Sequence, residues 1–241
     1  MSIAEKLTQI AENEQKVYDA GYSAGQACGG GYDEFWDSYQ ENGNRANCDY
    51  MFAGQGWNDE TFKPKYNIKP TTSAGNLFTG TTITDLVARL EECGVELDLS
   101  ECAEGNYFIN GSKTITTFPT ADIRKRSRAT TTKYMWYNCP NLRVIEKVIL
   151  KEDGTQEFDT YSFGALPALE EIRFEGVIGQ NGLNFSASTN LSHDSLMSIL
   201  HALKDYAGSG TSYKATLGAT NLAKLTDTEK AIATDKGWTL E

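Results

Sequence analysis

The sequence lacks long apolar runs, and those it has fall well short of the roughly 18 residues that cross a membrane. Its first residues, 1–6, lead into a charged stretch without the apolar centre of a secretory signal. The only histidines in the sequence are His193 and His201, too few for a clustered zinc site. We therefore predict neither membrane insertion nor a bound metal.

Paired cysteines are also missing, since no Cys-x-x-Cys occurs. The five cysteines are an odd number and lie far apart in the chain, which argues against a disulfide framework. We predict that they are buried free thiols that pack as small hydrophobic side chains. They are Cys28, Cys48, Cys93, Cys102 and Cys139.

Basic charge is scarce, with 22 Lys and Arg against 33 Asp and Glu and a net charge of −11. This balance disfavours nucleic acid as a partner. No phosphate-binding loop is present, because Gly208 and Gly210 follow a predicted helix and lack a third glycine. Residues 193–195 are His, Asp and Ser, the residue types of a catalytic triad, but adjacent residues at a helix start point in different directions and cannot form a triad among themselves. We therefore predict no cofactor and no enzymatic activity.

An internal repeat organises the middle of the chain. Short aromatic motifs recur at nearly equal intervals, with successive offsets of 26, 30, 28 and 27 between the anchors Phe52, Phe78, Phe108, Trp136 and Phe163. Residues 139–145 align with residues 166–172 at an offset of 27, with Pro, Leu and Ile at matching places. Such units stack because one alone cannot bury its apolar face. The alternative is an ordinary α+β domain with coincidental spacing.

The aligned units carry a family resemblance. The pattern Phe-x-x-Cys-Pro-x-Leu-x-x-Ile, with Trp136 at the aromatic place, resembles the BspA-like leucine-rich repeats of bacterial surface and prophage proteins. Residues 217–226 and 236–240, with the stretches at 35–40, 42–45 and 62–66, resemble phage and prophage tail-associated proteins of gut bacteria. The repeat lengths are irregular, and residues 114–132 form a Thr- and Arg-rich insertion.

The resemblance implies an α/β fold. It would be an irregular, right-handed leucine-rich-repeat solenoid with short strands on one face, a helical N-terminal arm and a helical C-terminal cap. The family offers no catalytic residues to transfer. We divide the chain into an arm at 1–44, the repeats at 45–190 and capping repeats at 191–241.

The arm is acidic and helical in pattern, with a net charge of −6 over residues 1–50. A weak heptad stripe is followed by an aromatic face at helical spacing. We predict that these residues either join copies of the chain into a homo-oligomer, such as a trimer, or attach the chain to another protein. They are Ile3, Leu7, Ile10, Val17, Tyr32, Phe35, Trp36 and Tyr39.

Secondary structure follows from periodicity and capping residues. Strands are predicted at 65–68, 95–99, 114–118, 143–150, 170–175 and 183–187. A short helix is predicted at 86–90, and another is predicted to begin after its N-cap Ser192 and to end near Gly208. A last helix begins at Thr226, with Glu229 completing a capping box, and ends at Gly237.

Positive charge concentrates in residues 121–151, which hold eight basic and two acidic residues. We interpret this segment as a binding surface for an anionic partner; the alternative is an ordinary solvated loop with outward strand residues. The candidate binding residues are Arg124, Lys125, Arg126, Arg128, Tyr134 and Tyr137.

These patterns favour a non-enzymatic phage or prophage virion protein of the tail or baseplate. It would bind a host surface or another virion protein through its repeats, with a protein or a cell-surface glycan as partner. Such a protein is made in the bacterial cytoplasm and needs no signal peptide. The alternative is a bacterial protein–protein interaction or adhesion module, located in the cytoplasm or at the cell surface.

Overall fold

The computed structural model describes residues 47–54, 56–126, 132–158 and 161–241. Its helices are α1 (Leu86–Cys93), α2 (His193–Ala202), α3 (Ala219–Leu222) and α4 (Asp227–Asp235). Its strands are β1 (Thr117–Phe118), β2 (Ala121–Asp122), β3 (Val144–Ile149), β4 (Glu171–Glu175), β5 (Tyr213–Ala215) and β6 (Trp238–Leu240). The predicted arm at 1–44 lies outside the described residues, as do all eight of its candidate residues.

Strand β3 is the centre of the larger sheet. It pairs in parallel with β1 and β2 through successive parts of its length, and in parallel with β4. Pro119, which has no N–H to donate, lies between β1 and β2. Ile145 lies opposite Ile172, so the predicted offset of 27 and the strands at 143–150 and 170–175 are confirmed.

The prediction of a leucine-rich-repeat solenoid is wrong. Across the described ranges the fold is mixed α/β, with four helices, a four-stranded sheet and a two-stranded sheet of β5 and β6. The segments at 65–68, 95–99 and 183–187 contribute single parallel bridges instead of strands.

The physical reason lies in polar side chains that take up the backbone donors. The Asn67 Oδ1 atom accepts the N–H of Glu96 at 2.9 Å, and Asn184 Oδ1 accepts the N–H of Ser186 at 3.1 Å. An asparagine that bonds to nearby backbone competes with a sheet ladder. Apolar alternation alone could not show this competition.

The core is a column of buried aromatic rings. Phe52 stacks on Phe78 with centroids 5.2 Å apart, and Trp136 stacks on Phe163 at 5.1 Å. Between these pairs, the Phe78 N–H donates to the Phe108 carbonyl oxygen at 2.9 Å. All five predicted anchors are fully buried. Their nearly equal spacing therefore brings successive segments side by side.

The predicted helix starts are confirmed, but α2 ends at Ala202, well before the predicted end near Gly208. Asp85 caps α1, and Ser192 caps α2 by accepting the Ser195 N–H. Thr226 and Glu229 form a capping box at the start of α4. The short elements α3, β5 and β6 were not predicted, because their few residues carry too little periodicity to stand out.

Helix α2 covers the free edge of the larger sheet. The Ser195 hydroxyl accepts the N–H of Ile172 at 3.0 Å, and the Ser198 hydroxyl accepts the N–H of Phe174 at 2.9 Å. The edge of β4 is thereby satisfied by side chains, which blocks further strand pairing there.

We predict that Glu229 makes the stability depend on acidity. The hydrogen bond from the Thr226 N–H, at 2.7 Å, holds the pKa of the Glu229 carboxyl below its ordinary value of 4.5, and His193 Nε2 lies 2.8 Å from its other oxygen. A carboxyl group whose pKa is lowered in the folded state contributes its full stabilisation at pH values above its ordinary pKa. This contribution is lost as the pH falls through the lowered pKa of the folded state. Glu229→Gln should therefore lower the melting temperature at pH 7, and the gap should close below pH 4.5.

The measurement is thermal unfolding of both proteins between pH 7 and pH 3. Glu171→Gln is the matched control, because Glu171 is exposed and no ion pair is formed by its side chain in the described structure. A gap between Glu229→Gln and the parent chain that stays constant with pH would contradict the prediction.

Candidate binding surface: a row of stacked tyrosines

Three tyrosines that follow one another at an offset of 27 form a row on the surface. The ring centroids of Tyr107 and Tyr134 are 5.1 Å apart, and those of Tyr134 and Tyr161 are 5.0 Å apart. Both pairs are close to parallel, with interplanar angles of 13°. Since the buried anchors set the spacing of the segments, the outer tyrosines repeat at the same interval. We call Tyr107, Tyr134, Tyr137 and Tyr161 the tyrosine row.

Tyr137 completes the row from the side. Its ring stands at 70° to Tyr134 and 81° to Tyr161, with centroids 5.1 Å and 5.4 Å away. The Lys133 ammonium lies 4.9 Å from the centroid of the Tyr134 ring. These contacts hold the rings in place before any partner arrives, which lowers the entropy cost of binding.

The backbone beneath the row is strained. Tyr107 has φ of 64° and Tyr134 has φ of 54°, both in the left-handed region. Glycine and asparagine tolerate this region, whereas a bulky residue there is unusual. Such strain costs on the order of 1–3 kcal/mol and is concentrated at functional sites. Tyr50, Asn76, Asn138 and Ala165 also adopt this region, so the conformation recurs along the fold and does not itself require tyrosine.

Within the described structure, the rings of the row are partly exposed. Tyr161 is 45% exposed, and Tyr107, Tyr134 and Tyr137 are half-buried. The phenol oxygens of these three half-buried tyrosines make no hydrogen bond to any described residue. Tyrosine combines a rigid apolar ring with a hydroxyl that donates and accepts, a combination enriched at binding surfaces.

The predicted basic residues are engaged elsewhere. Arg124 pairs with Asp122 at 2.5 Å, and Lys125 pairs with Glu101 at 3.2 Å. Arg128 lies outside the described residues. Further along the segment, Arg143 pairs with Glu170, the residue before β4, at 2.7 Å, and Lys147 pairs with Glu175 of β4 at 3.0 Å. Four of the eight basic residues in this segment are therefore balanced by carboxylates within the described structure.

Arg126 is fully buried and belongs to the core. Its Nη2 lies 3.3 Å from both Cys102 Sγ and the Glu104 carbonyl oxygen, and its guanidinium carbon is 4.3 Å from the Phe108 ring centroid. Its Nε has no hydrogen-bond partner among the described residues, and burial lowers the pKa of the guanidinium. The sequence could not show this, because the partners lie about two dozen positions away.

In the segment 193–195, His193 and Ser195 make hydrogen bonds that stabilise the fold. The Ser195 hydroxyl bonds to the edge of β4, while the His193 ring bonds to Glu229 on α4. No hydrogen bond joins His193 to Ser195 in the described structure. The capping interpretation is therefore confirmed for this segment.

The described cysteines are free thiols. Cys48, Cys102 and Cys139 are buried, as predicted, and Cys93 is half-buried, while Cys28 lies outside the described residues. Burial raises the pKa of the Cys139 thiol to about 12, so it stays protonated at neutral pH. Among the described residues, no group of three His, Cys, Asp or Glu side chains is arranged to hold a metal ion.

A cavity of about 410 Å³ lies between α1, residues 95–100 and the ends of β2 and β3. Two of its carboxylates already have partners, since Asp98 pairs with Lys69 at 3.3 Å and Asp122 pairs with Arg124. The other acidic side chains that line it are Glu91, Glu96 and Glu146.

No protein-family model, curated protein or solved structure matches this chain. Within the described part of the chain, no helix has the length and apolar character needed to cross a membrane.

We predict that Tyr134→Asn leaves the fold nearly as stable as before. The change removes three ring contacts worth about 0.5–1.5 kcal/mol each, and it relieves backbone strain of about 1–3 kcal/mol because asparagine tolerates a positive φ, so the two effects largely offset. The free energy of unfolding should fall by less than about 1 kcal/mol in chemical denaturation.

Tyr206→Asn is the matched control for this experiment. Tyr206 is half-buried without a positive φ, packs on Tyr213 and Trp238, and donates to the Gly179 carbonyl oxygen at 2.6 Å. It should lose clearly more stability. Equal losses in the two variants would contradict the proposed strain at Tyr134.

Arg126 provides a second test. Arg126→Met should keep or raise stability, because an apolar side chain of similar length replaces a buried charge that has no carboxylate partner among the described residues. Arg126→Ala should lose about 2–5 kcal/mol through the cavity it leaves. Denaturant unfolding measures both, with Lys125→Met at an exposed ion pair as the control. A methionine variant as unstable as the alanine variant would show that the charge itself is required.

Proposed function

We propose that this chain is a non-enzymatic virion protein of a phage or prophage tail or baseplate, and that it binds a host surface through the tyrosine row. The observation that carries the binding role is the row itself. Four tyrosines are prearranged, partly exposed and mounted on strained backbone at two positions. Aromatic side chains of this kind dominate the energy of protein-binding and other recognition surfaces.

The virion setting rests on the sequence alone. The stretches at 35–40, 42–45, 62–66, 217–226 and 236–240 resemble tail-associated proteins. The second candidate is a bacterial adhesion or protein-interaction module, which the same tyrosine row would serve equally well. The two proposals share the binding surface and differ in where the protein is assembled.

The deciding experiment is protein mass spectrometry on phage particles. Particles are induced from the strain that encodes the chain and purified on a density gradient. We expect the chain at a fixed ratio to other tail proteins. Its absence from the particles, together with its presence in cells, would overturn the virion setting in favour of the bacterial module.

Particles that carry Tyr134→Asn test the role of the row. They should assemble normally and adsorb to host cells more slowly, because the variant keeps the fold and loses the central ring. Particles that carry Arg143→Gln, altered at an exposed ion pair of the sheet, serve as the control. Normal adsorption by the Tyr134→Asn particles would contradict binding through the row.

A further inference from the structure

We propose that the tyrosine row binds an uncharged, linear polysaccharide, with one sugar against each of the three stacked rings. This inference rests on the proposed binding function of the row and names the class of its ligand. It follows from three features of the surface: its repeat distance, its hydrogen-bonding groups and its charge.

The repeat distance fits a sugar chain better than a peptide. The stacked rings follow one another at 5.1 Å and 5.0 Å. An extended peptide advances roughly 3.3 Å per residue and presents every second side chain on one face, so neither one nor two residues match this interval. An extended chain of β-linked six-membered sugar rings advances by a closely similar distance per sugar. Each tyrosine therefore meets an equivalent part of the polymer.

The hydrogen-bonding groups suit hydroxyl ligands. Asparagines flank the row in sequence, since Asn106 precedes Tyr107 and Asn138 follows Tyr137. The side chains of both asparagines make no hydrogen bond to any described residue. Phenols and amides each donate and accept, as sugar hydroxyls do.

A third amide lies in the same part of the surface. Asn110 precedes Gly111, whose N–H donates to the Tyr137 carbonyl oxygen at 2.9 Å. Its side chain, like those of Asn106 and Asn138, has no hydrogen-bond partner in the described part of the chain. The segments that carry the rings thus also carry uncharged amides, which can pair with hydroxyls of a polymer.

The charge around the row points to a neutral polymer. Lys133 is the cation in contact with the rings, and it already lies over Tyr134. The exposed basic residues Arg124, Lys125 and Arg143 are paired with carboxylates. A polyanion such as a phosphate polymer would need several unpaired cations along its length. Uncharged sugars need none.

The test measures binding of the labelled full chain to a panel of bacterial cell envelopes. Each envelope is used untreated, after periodate oxidation of its glycans, and after protease digestion. We expect binding that is lost after periodate and kept after protease. Tyr134→Asn should weaken it at least about tenfold, whereas Arg143→Gln should leave it unchanged. Binding should vary little between about 0.1 M and 0.5 M salt, because no ion pairs form.

The outcomes separate the two proposals. Binding that is lost after protease but kept after periodate would overturn the polysaccharide and leave a protein partner for the row. Binding that falls steeply with salt would overturn the uncharged ligand in favour of a polyanion. Binding that Tyr134→Asn does not weaken would overturn the row as the site. No binding to any envelope would overturn the proposed surface-binding function, and the polysaccharide with it.

Discussion

The structure depends on one constraint, which is the burial of aromatic side chains that recur at nearly equal intervals along the chain. A ring in one segment is covered only when the next segment lies directly against it. Trp136 illustrates this, since it stacks on Phe163 at 5.1 Å while its backbone N–H donates to the Ser162 carbonyl oxygen at 3.3 Å. Side-chain burial and backbone hydrogen bonding therefore demand the same alignment of the chain. Burying these large rings adds to the favourable free energy that the aliphatic side chains of the core contribute.

The arrangement of the surface residues follows from the packing of this core. Once successive segments are aligned, any residue type that recurs at the same interval must stack with its copies. Tyr107, Tyr134 and Tyr161 do so at 5.1 Å and 5.0 Å, on the outside of the alignment that Phe108 and Trp136 set on the inside. The inner residues stabilise the fold, while two residues of the outer row, Tyr107 and Tyr134, have backbone in the left-handed region. This division lets the outer tyrosines change without unfolding the protein.

Sequence patterns predicted the parts of this structure that depend on local chemistry or on repetition. The offset of 27 between residues 139–145 and 166–172, the Ser192 cap and the Thr226 capping box all follow from residue types at fixed spacings. The leucine-rich-repeat solenoid failed, because asparagine side chains such as Asn67 take backbone donors that a ladder would need. The count of charges indicated that Arg126 is a surface binding residue, but it is buried. Its burial could not be predicted because its partners are distant in sequence. The interval of 27 residues from Tyr107 to Tyr134 and from Tyr134 to Tyr161 is visible in the sequence. The stacking of Tyr107 and Tyr161 on Tyr134 depends on the three-dimensional alignment of the segments.

The most direct test of this account is native-state hydrogen exchange on the full chain and on Phe163→Leu. The account predicts that the amides that join segments, including those of Phe52, Phe78 and Trp136, exchange through one cooperative opening. The substitution should then lower their protection together, by about 1 kcal/mol or more. A loss confined to the segments next to residue 163, with Phe52 and Phe78 unaffected, would contradict the claim that a single aromatic column holds the fold together.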